Sequence, residues 1–142
     1  MKSIGPDHYR YEATLNPDGV NIECRTYVVI AETPKCYWVI SKIHAGYVGQ
    51  ESFWARDMVK THRKLILKEK GRRRHCYPDR KDALQALVIR KKRQLQHIER
   101  ATSVATLALK GAEAALAAGE VLGDELKCGQ DEYTERLSWY DW

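Results

Sequence analysis

The chain has 142 residues, with 44% hydrophobic and 30% charged residues, which is the composition of an ordinary globular protein and excludes a mainly disordered one. No uninterrupted apolar stretch approaches the roughly 20 residues of a membrane span, and the first residues lack the basic and then apolar layout of a secretory signal. We therefore expect a cytoplasmic protein without a membrane partner.

The formal net charge of +5 conceals a strong segregation of charge along the chain. Residues 56–100 contain 16 Lys and Arg against 5 Asp and Glu, which gives 16 − 5 = +11, whereas residues 101–142 contain 3 against 8, which gives −5. A basic block of this size attracts polyanions such as nucleic acids, nucleotides or an acidic protein surface.

The first half of the sequence predicts an antiparallel sheet. Residues 9–15 alternate in polarity and lead into the turn sequence Asn-Pro-Asp-Gly at 16–19. Residues 21–31 and 36–40 are rich in β-branched and aromatic side chains and flank a second turn at 32–35. These segments predict two consecutive hairpins.

The second hairpin is apolar on both faces. If residues 32–35 form its loop, Val29 pairs with Trp38 and Tyr27 with Ile40. We therefore expect its two strands to be inner strands of the sheet, covered on both sides.

A third hairpin is predicted around Glu69-Lys70-Gly71, with strands at 63–68 and 72–77, which brings the sheet to about five strands. Residues 44–61 predict a loop with one helical turn, and we expect Trp38 and Trp54 to belong to the core.

The clearest local signals predict a helix over residues 79–118. Pro78 ends the preceding strand, Asp79 can cap the helix, and Asp82 follows three residues later. An apolar stripe with heptad-like spacing runs along this helix, with Lys91 as its one charged position. Its members are Leu84, Val88, Leu95, Ile98, Thr102, Ala105, Leu109, Ala112 and Leu116.

At 1.5 Å per residue such a helix is about 60 Å long, which a small sheet cannot cover. Either the helix breaks near Gly111 and folds back, or its far end packs on another chain. The sequence thus predicts an α+β fold: a sheet region at 1–78, a long or broken helix at 79–118 that completes the domain or forms a homo-oligomer, and an acidic aromatic segment at 119–142. Trp139 and Trp142 in that segment could dock on the basic block.

Nothing in the sequence favours catalysis. The four cysteines and five histidines are widely scattered, which predicts neither a metal site nor a disulfide framework. His75 and Cys76 are adjacent, so on a strand their side chains would point to opposite faces. Glycine-rich phosphate loops and hydrolase motifs are missing from the chain. We expect a binding protein that is not an enzyme and uses no cofactor.

The basic strand and the start of the helix hold the candidate ligand-binding residues. Arginine forks and helix amides can bind phosphates, and an aromatic ring or imidazole can stack on a base. A solvated helix face remains the alternative explanation for the helical part of this set. The candidates are Arg72, Arg73, Arg74, His75, Tyr77, Arg90, Lys91, Arg93 and Tyr37.

Three motifs carry a resemblance to a known group of proteins. They are ETPKCYWV at 32–39, RHCYPDRKDAL at 74–84 and RKKRQ at 90–94. Over about residues 20–100 the chain resembles a loosely defined group of short, uncharacterised phage and prophage proteins. In outline it is also similar to phage counter-defence sponges of the anti-Thoeris type, by analogy of fold alone.

This resemblance implies a phage protein that sequesters a nucleotide immune signal in the host cytoplasm and so counters host defence. The alternative is an inhibitor or regulator of the anti-CRISPR kind that binds nucleic acid or an effector protein through the basic surface of residues 56–100. A structural virion protein is a third class.

Overall fold

The computed structural model of the protein describes residues 4–69, 73–119 and 121–136. The chain forms two compact units, Met1–Ile89 and Arg90–Trp142. The predicted α+β class is confirmed, although the sheet has four strands in place of five. In sheet order these antiparallel strands are β1 (His8–Asn16), β2 (Gly19–Glu32), β3 (Cys36–Ser41) and β4 (Lys64–Leu67).

Three α-helices accompany the sheet in the described residues: α1 (Phe53–His62), α2 (Arg80–Ala118) and α3 (Glu132–Arg136). A single turn of 3-10 helix at Ala45–Tyr47 precedes α1.

The first hairpin is the one that the sequence predicts. Asn16 pairs with Gly19 across a two-residue turn, and the Asn16 side-chain oxygen accepts a hydrogen bond of 3.1 Å from the main-chain N–H of Asp18. Gly19 has a φ of 119°, a conformation that only glycine adopts without strain. The turn therefore depends on this glycine.

The second hairpin differs from the predicted register by one residue. Val29 pairs with Val39, and a bulge follows between Val29 and Ala31. The turn is also tighter than predicted, because Thr33 and Cys36 bond to each other through their main chains and the Thr33 hydroxyl accepts a further hydrogen bond from Cys36 N–H at 3.0 Å. The bulge reconciles this turn with the register of the sheet.

The expectation that this hairpin is covered on both sides is confirmed at its centre. The consecutive residues Val39 and Ile40 point to opposite faces of β3, and both are fully buried. One face carries the core cluster of Tyr27, Val29, Val39, Ile66 and Cys76. β2 and β3 are the two inner strands, as predicted.

Among the described residues, 73–77 form no strand beside β4, so the fifth strand is absent there, and the predicted turn at 70–71 lies outside the described residues. The main chain of Tyr77 pairs with Tyr9 of β1, with N–H···O distances of 2.6 and 2.9 Å, instead of continuing beside β4. An Arg10 guanidinium also donates to the carbonyl of His75 at 2.7 Å. The segment before the helix is thus drawn to the β1 edge, and Cys76 becomes a core residue.

The prediction of a single helical turn within residues 44–61 is wrong, because α1 has ten residues. The Ser52 hydroxyl caps it by accepting from Ala55 N–H at 3.0 Å, and Ala55 is fully buried. Trp54 is not a core residue either: it lies in the first turn of α1 and is exposed.

The start of α2 follows the prediction. The Asp79 carboxylate accepts a hydrogen bond of 2.7 Å from Lys81 N–H, and the Arg80 guanidinium lies over the Tyr9 ring at 4.4 Å. Within the first unit, however, Ala83 and Leu87 are buried while Leu84 and Val88 of the predicted stripe are exposed. The buried side of this first part of α2 thus carries Ala83 and Leu87, each one residue before a member of the predicted stripe.

In the second unit α2 continues unbroken through Gly111, which rules out the first of the two alternatives, a break at that residue. The chain turns after the helix at Gly119, whose φ is 64°, and a later segment returns to the helix. A Cβ on Gly111 would clash with the Sγ of Cys128, and the pKa of Asp131 is lowered mainly by the main-chain N–H of Thr134, with a smaller contribution from the nearby Ser103. Trp139 and Trp142 lie outside the described residues.

The contact between Gly111 and Cys128 can be tested by a double-mutant cycle. Alanine in place of a helical glycine ordinarily stabilises a protein by roughly 0.5–1 kcal/mol. We expect Gly111→Ala to give no such gain in the native chain, because its Cβ meets Cys128, and to recover the gain in a Cys128→Gly background. Urea unfolding of the four proteins measures the coupling, and additive effects would contradict the packing.

His8 makes the stability of the first unit dependent on pH. Burial, with a smaller effect of the Arg74 charge, lowers the pKa of His8 below its usual 6.5. Its Nδ1 donates to the Pro6 carbonyl at 2.8 Å. Because the unfolded chain then binds a proton more readily, we expect the free energy of unfolding to fall as the pH drops below about 6.5.

Urea unfolding between pH 5 and 7.5 measures this effect. We expect His8→Gln to weaken the pH dependence, and the exposed His97→Gln to leave it intact as the matched control. An unchanged slope in His8→Gln would show that other groups cause it.

Candidate functional site

Arg74, a predicted phosphate ligand, is hydrogen-bonded to the protein's own main chain. Its Nη2 donates to the carbonyl of Lys68 at 2.7 Å and to that of Glu69 at 3.0 Å, and its main-chain N–H lies 3.4 Å from the Tyr77 hydroxyl oxygen. A guanidinium held in this way braces the connection between β4 and α2. The structural role explains why an arginine lies at this position.

The predicted stacking residues of the first unit also have internal partners. His75 Nε2 and the Tyr27 hydroxyl are 3.1 Å apart, and the two rings meet edge to face. The Tyr37 ring contacts His8 on one side and Lys68, whose Nζ lies 4.7 Å from the ring centre, on another. Tyr77 is half-buried. These rings are components of the core and its rim.

The remaining predicted cations are distributed over both units. Arg73 is exposed in the first unit, and Arg72 lies outside the described residues. Arg90, Lys91 and Arg93 belong to the second unit, where Arg90 is half-buried, Lys91 Nζ donates to the Gln94 side chain at 3.0 Å, and Arg93 is exposed.

The buried thiol of Cys76 is a poor nucleophile. Burial raises the pKa of Cys76 to about 12, with the nearby Arg10 and Arg74 charges acting in the opposite direction. The thiolate that a nucleophile needs is therefore scarce at neutral pH. His75, its neighbour in sequence, bonds to Tyr27 instead. Among the described residues, no three His, Cys, Asp or Glu side chains are grouped as a metal site would require.

Two aromatic residues that the sequence analysis did not select as ligand-binding residues are largely exposed. Phe53 is 86% exposed and Trp54 is 59% exposed, both in the first turn of α1. Arg56 and Lys60, three and seven residues after Phe53, are exposed on the same side of the helix. We call these four exposed residues the α1 outer face. Trp54 lies about 100° around the helix from Phe53, with the exposed Asp57 between the two aromatic residues.

Local packing holds this face in place. The buried Ala55 fixes the rotation of α1, and Tyr47 packs edge to face on Trp54 with ring centres 5.0 Å apart. His44 and His62 stack at 4.0 Å with an angle of 5° between their planes, which ties the 3-10 turn to the end of α1. The aromatic platform is therefore preorganised. The N-terminal signal that could have revealed it is Ser52, a capping residue directly before two aromatics.

The α1 outer face is only mildly basic. Residues 51–64 carry Arg and Lys at four positions and Asp and Glu at two, which gives 4 − 2 = +2. Arg63 is engaged, because its guanidinium lies 4.3 Å from the Trp38 ring centre. Affinity for an anion at this face would thus come from aromatic stacking together with a few charges.

No helix in the described parts of the chain combines the length and the apolar character needed to cross a membrane. Comparison with protein-family models, curated proteins and solved structures finds no significant match to this chain. The resemblance to phage proteins therefore stays a prediction, and the function has to be argued from the residues themselves.

The bracing role of Arg74 can be separated from its charge. Arg74→Lys keeps the charge but cannot donate to two carbonyls from one planar group. We expect it to lower the free energy of unfolding by about 1–2 kcal/mol, the range of a lost charge-assisted hydrogen bond near the surface. Chemical denaturation measures this, with the exposed Arg73→Lys as the matched control. Equal stability of both variants would show that the two carbonyl contacts contribute nothing.

Proposed function

We propose that the protein is a non-enzymatic binder of a phosphate-bearing polymer, and that single-stranded nucleic acid is its ligand. The observation that carries the proposal is the α1 outer face, where Phe53 is exposed beside Arg56 and Lys60 and Trp54 is exposed on the adjoining side of the helix. Exposure of two large aromatic side chains to water is unfavourable, which favours a role for them in binding. The cations near them favour an anionic ligand.

The recognition mechanism follows from these side chains. Bases stack on the rings of Phe53 and Trp54, and the backbone phosphates contact Arg56 and Lys60. Unpaired bases are needed for stacking, which favours single strands over duplexes.

The predicted nucleotide sponge has less support than the polymer. Among the arginines predicted to bind the phosphates of the nucleotide, Arg74 donates to the main chain of Lys68 and Glu69. The ring of Tyr37, which was predicted to stack on the base, contacts His8 and Lys68. A nucleotide immune signal is therefore the second candidate ligand.

The proposal also covers catalysis, origin, location and self-association. The high pKa of Cys76 and the engagement of His75 agree with a protein that is not an enzyme. A phage origin, an anti-defence role and a cytoplasmic location in the host remain expectations from the sequence. We also propose that the chain forms a homo-oligomer through α2, because the predicted stripe is exposed along that helix.

The aromatic platform is tested with a fluorescent oligothymidine. We expect Phe53→Ala and Trp54→Ala each to weaken binding by about 5-fold or more, since a stacked base is worth roughly 1–3 kcal/mol. Leu15→Ala is the matched control, because Leu15 is an exposed apolar residue of the same unit at the far end of β1. Fluorescence anisotropy at fixed salt measures the affinities.

Salt titrations of the same complexes separate the candidate ligands. A polymer that contacts several phosphates loses affinity steeply as salt rises, and Lys60→Gln should reduce that slope by about one. Oligonucleotide binding that ignores Phe53 would contradict the proposed face. A mononucleotide released on denaturing the purified protein, together with a shallow salt slope, would favour the sponge.

A further inference from the structure

The apolar stripe on α2 is exposed throughout the second unit. Leu95 is 66% exposed, Leu109 59% and Leu116 73%, and Ile98 is half exposed. With Thr102, Ala105 and Ala112 these residues alternate in steps of three and four, so they lie on one side of the helix. We call these seven residues the distal stripe.

The chain covers the other side of the same helix. After Arg90, the half-buried positions of α2 in this unit are Arg100, Ser103, Leu107, Gly111 and Ala115, which face away from the distal stripe at 100° per residue. Cys128 packs against Gly111, and Ser103 lies near enough to Asp131 to add to the effect of Thr134 in lowering the pKa of that carboxylate. The acidic segment therefore occupies one side and leaves the stripe open along about three heptads.

We infer that a second copy of this chain covers the distal stripe, as an antiparallel helix pair centred between Thr102 and Ala105. The inference rests on the self-association proposed above and specifies its geometry, but it does not depend on the nucleic-acid ligand. Antiparallel pairing places each larger apolar residue opposite a partner position that accommodates it.

The residue sizes along the distal stripe suit this arrangement. In the antiparallel register Leu95 lies opposite the partner's Ala112, and Ile98 lies opposite the partner's Leu109. At the centre Thr102 lies opposite the partner's Ala105. The alanines at the ends and centre allow the two helices to approach closely.

Charge excludes the parallel alternative. In a parallel pair with aligned heptads, Lys91 would lie on the stripe directly opposite its own copy, which places two like charges in the interface. In the antiparallel pair Lys91 lies opposite the partner's Leu116, and the methylene groups of the lysine can cover that side chain.

Flanking charges favour the same register. Lys92 and Glu113 are both exposed and lie on the same flank of the stripe, near its two ends. The antiparallel register brings Lys92 of each copy beside the partner's Glu113, so the dimer gains two opposite-charge pairs. A parallel dimer would instead place Glu113 beside the partner's Ala108 and would gain no such pair.

Sedimentation equilibrium of the full chain at low salt tests the inference. We expect Lys92→Glu alone and Glu113→Lys alone each to weaken the dimer by about 3-fold or more, because each creates two like-charge pairs. The double variant restores both pairs with reversed polarity, so its dissociation constant should return to within about 2-fold of the native value. Arg93→Glu, an exposed charge change off the stripe, is the matched control.

A second variant tests the apolar contact itself. Leu109→Glu should abolish the dimer while circular dichroism shows the helix content retained, since this side chain is already largely exposed. Gln96→Glu adds the same charge at an exposed position off the stripe and should leave the dimer intact.

Each outcome either supports or overturns the antiparallel dimer. A monomeric native chain at about 100 μM would overturn it, and so would a dimer that survives Leu109→Glu. A dimer that Leu109→Glu breaks but that ignores both charge changes would overturn the antiparallel register. Oligonucleotide affinity per chain, measured on the Leu109→Glu monomer, reports separately on the nucleic-acid proposal.

Discussion

The main-chain pairing of Tyr77 with Tyr9 is the contact on which the arrangement of the basic region depends. It directs the segment after β4 to the opposite edge of the sheet, where Cys76 enters the core. Pro78 and Asp79 follow at once, so the same contact fixes where α2 starts. Arg10 and Arg74 secure the segment by donating to main-chain carbonyls. The two guanidinium groups stabilise the path of this segment, because main-chain carbonyls outside regular secondary structure need hydrogen-bond donors.

The sequence predicted those features that a few adjacent residues determine. The first turn requires a glycine at Gly19, and the start of α2 requires a cap at Asp79, so both were identified correctly. Features that depend on distant contacts were not predicted. The register of the second hairpin is shifted by a bulge between Val29 and Ala31 in the paired strands, and residues 73–77 are diverted from β4 by pairing with Tyr9, which lies 77 − 9 = 68 positions before Tyr77. Neither alternative leaves a local pattern in the sequence.

The internal role of Arg74, a predicted phosphate ligand, was missed for a related physical reason. Residue type alone does not distinguish an arginine that binds phosphate from one that binds its own carbonyls, and Arg74 is of the second kind. For aromatic residues the difficulty is to tell an exposed side chain from a packed one, because Trp38 and Trp54 look equivalent in sequence. Trp38 lies on an inner strand under Arg63, whereas Trp54 lies on an outward helix turn. The difference arises from the rotation of α1, which the buried Ala55 determines.

The two sides of α2 explain the charge segregation along the chain. The described part of the acidic segment packs on the side of the helix around Gly111, where only glycine leaves room for Cys128. The leucines of the distal stripe lie on the other side and are exposed. In the antiparallel dimer the exposed leucines of two copies pack against each other about a twofold axis. This axis places the basic start of each α2 beside the less basic end of the partner's α2. The mild net charge of the whole chain is thus the sum of regions with separate structural tasks.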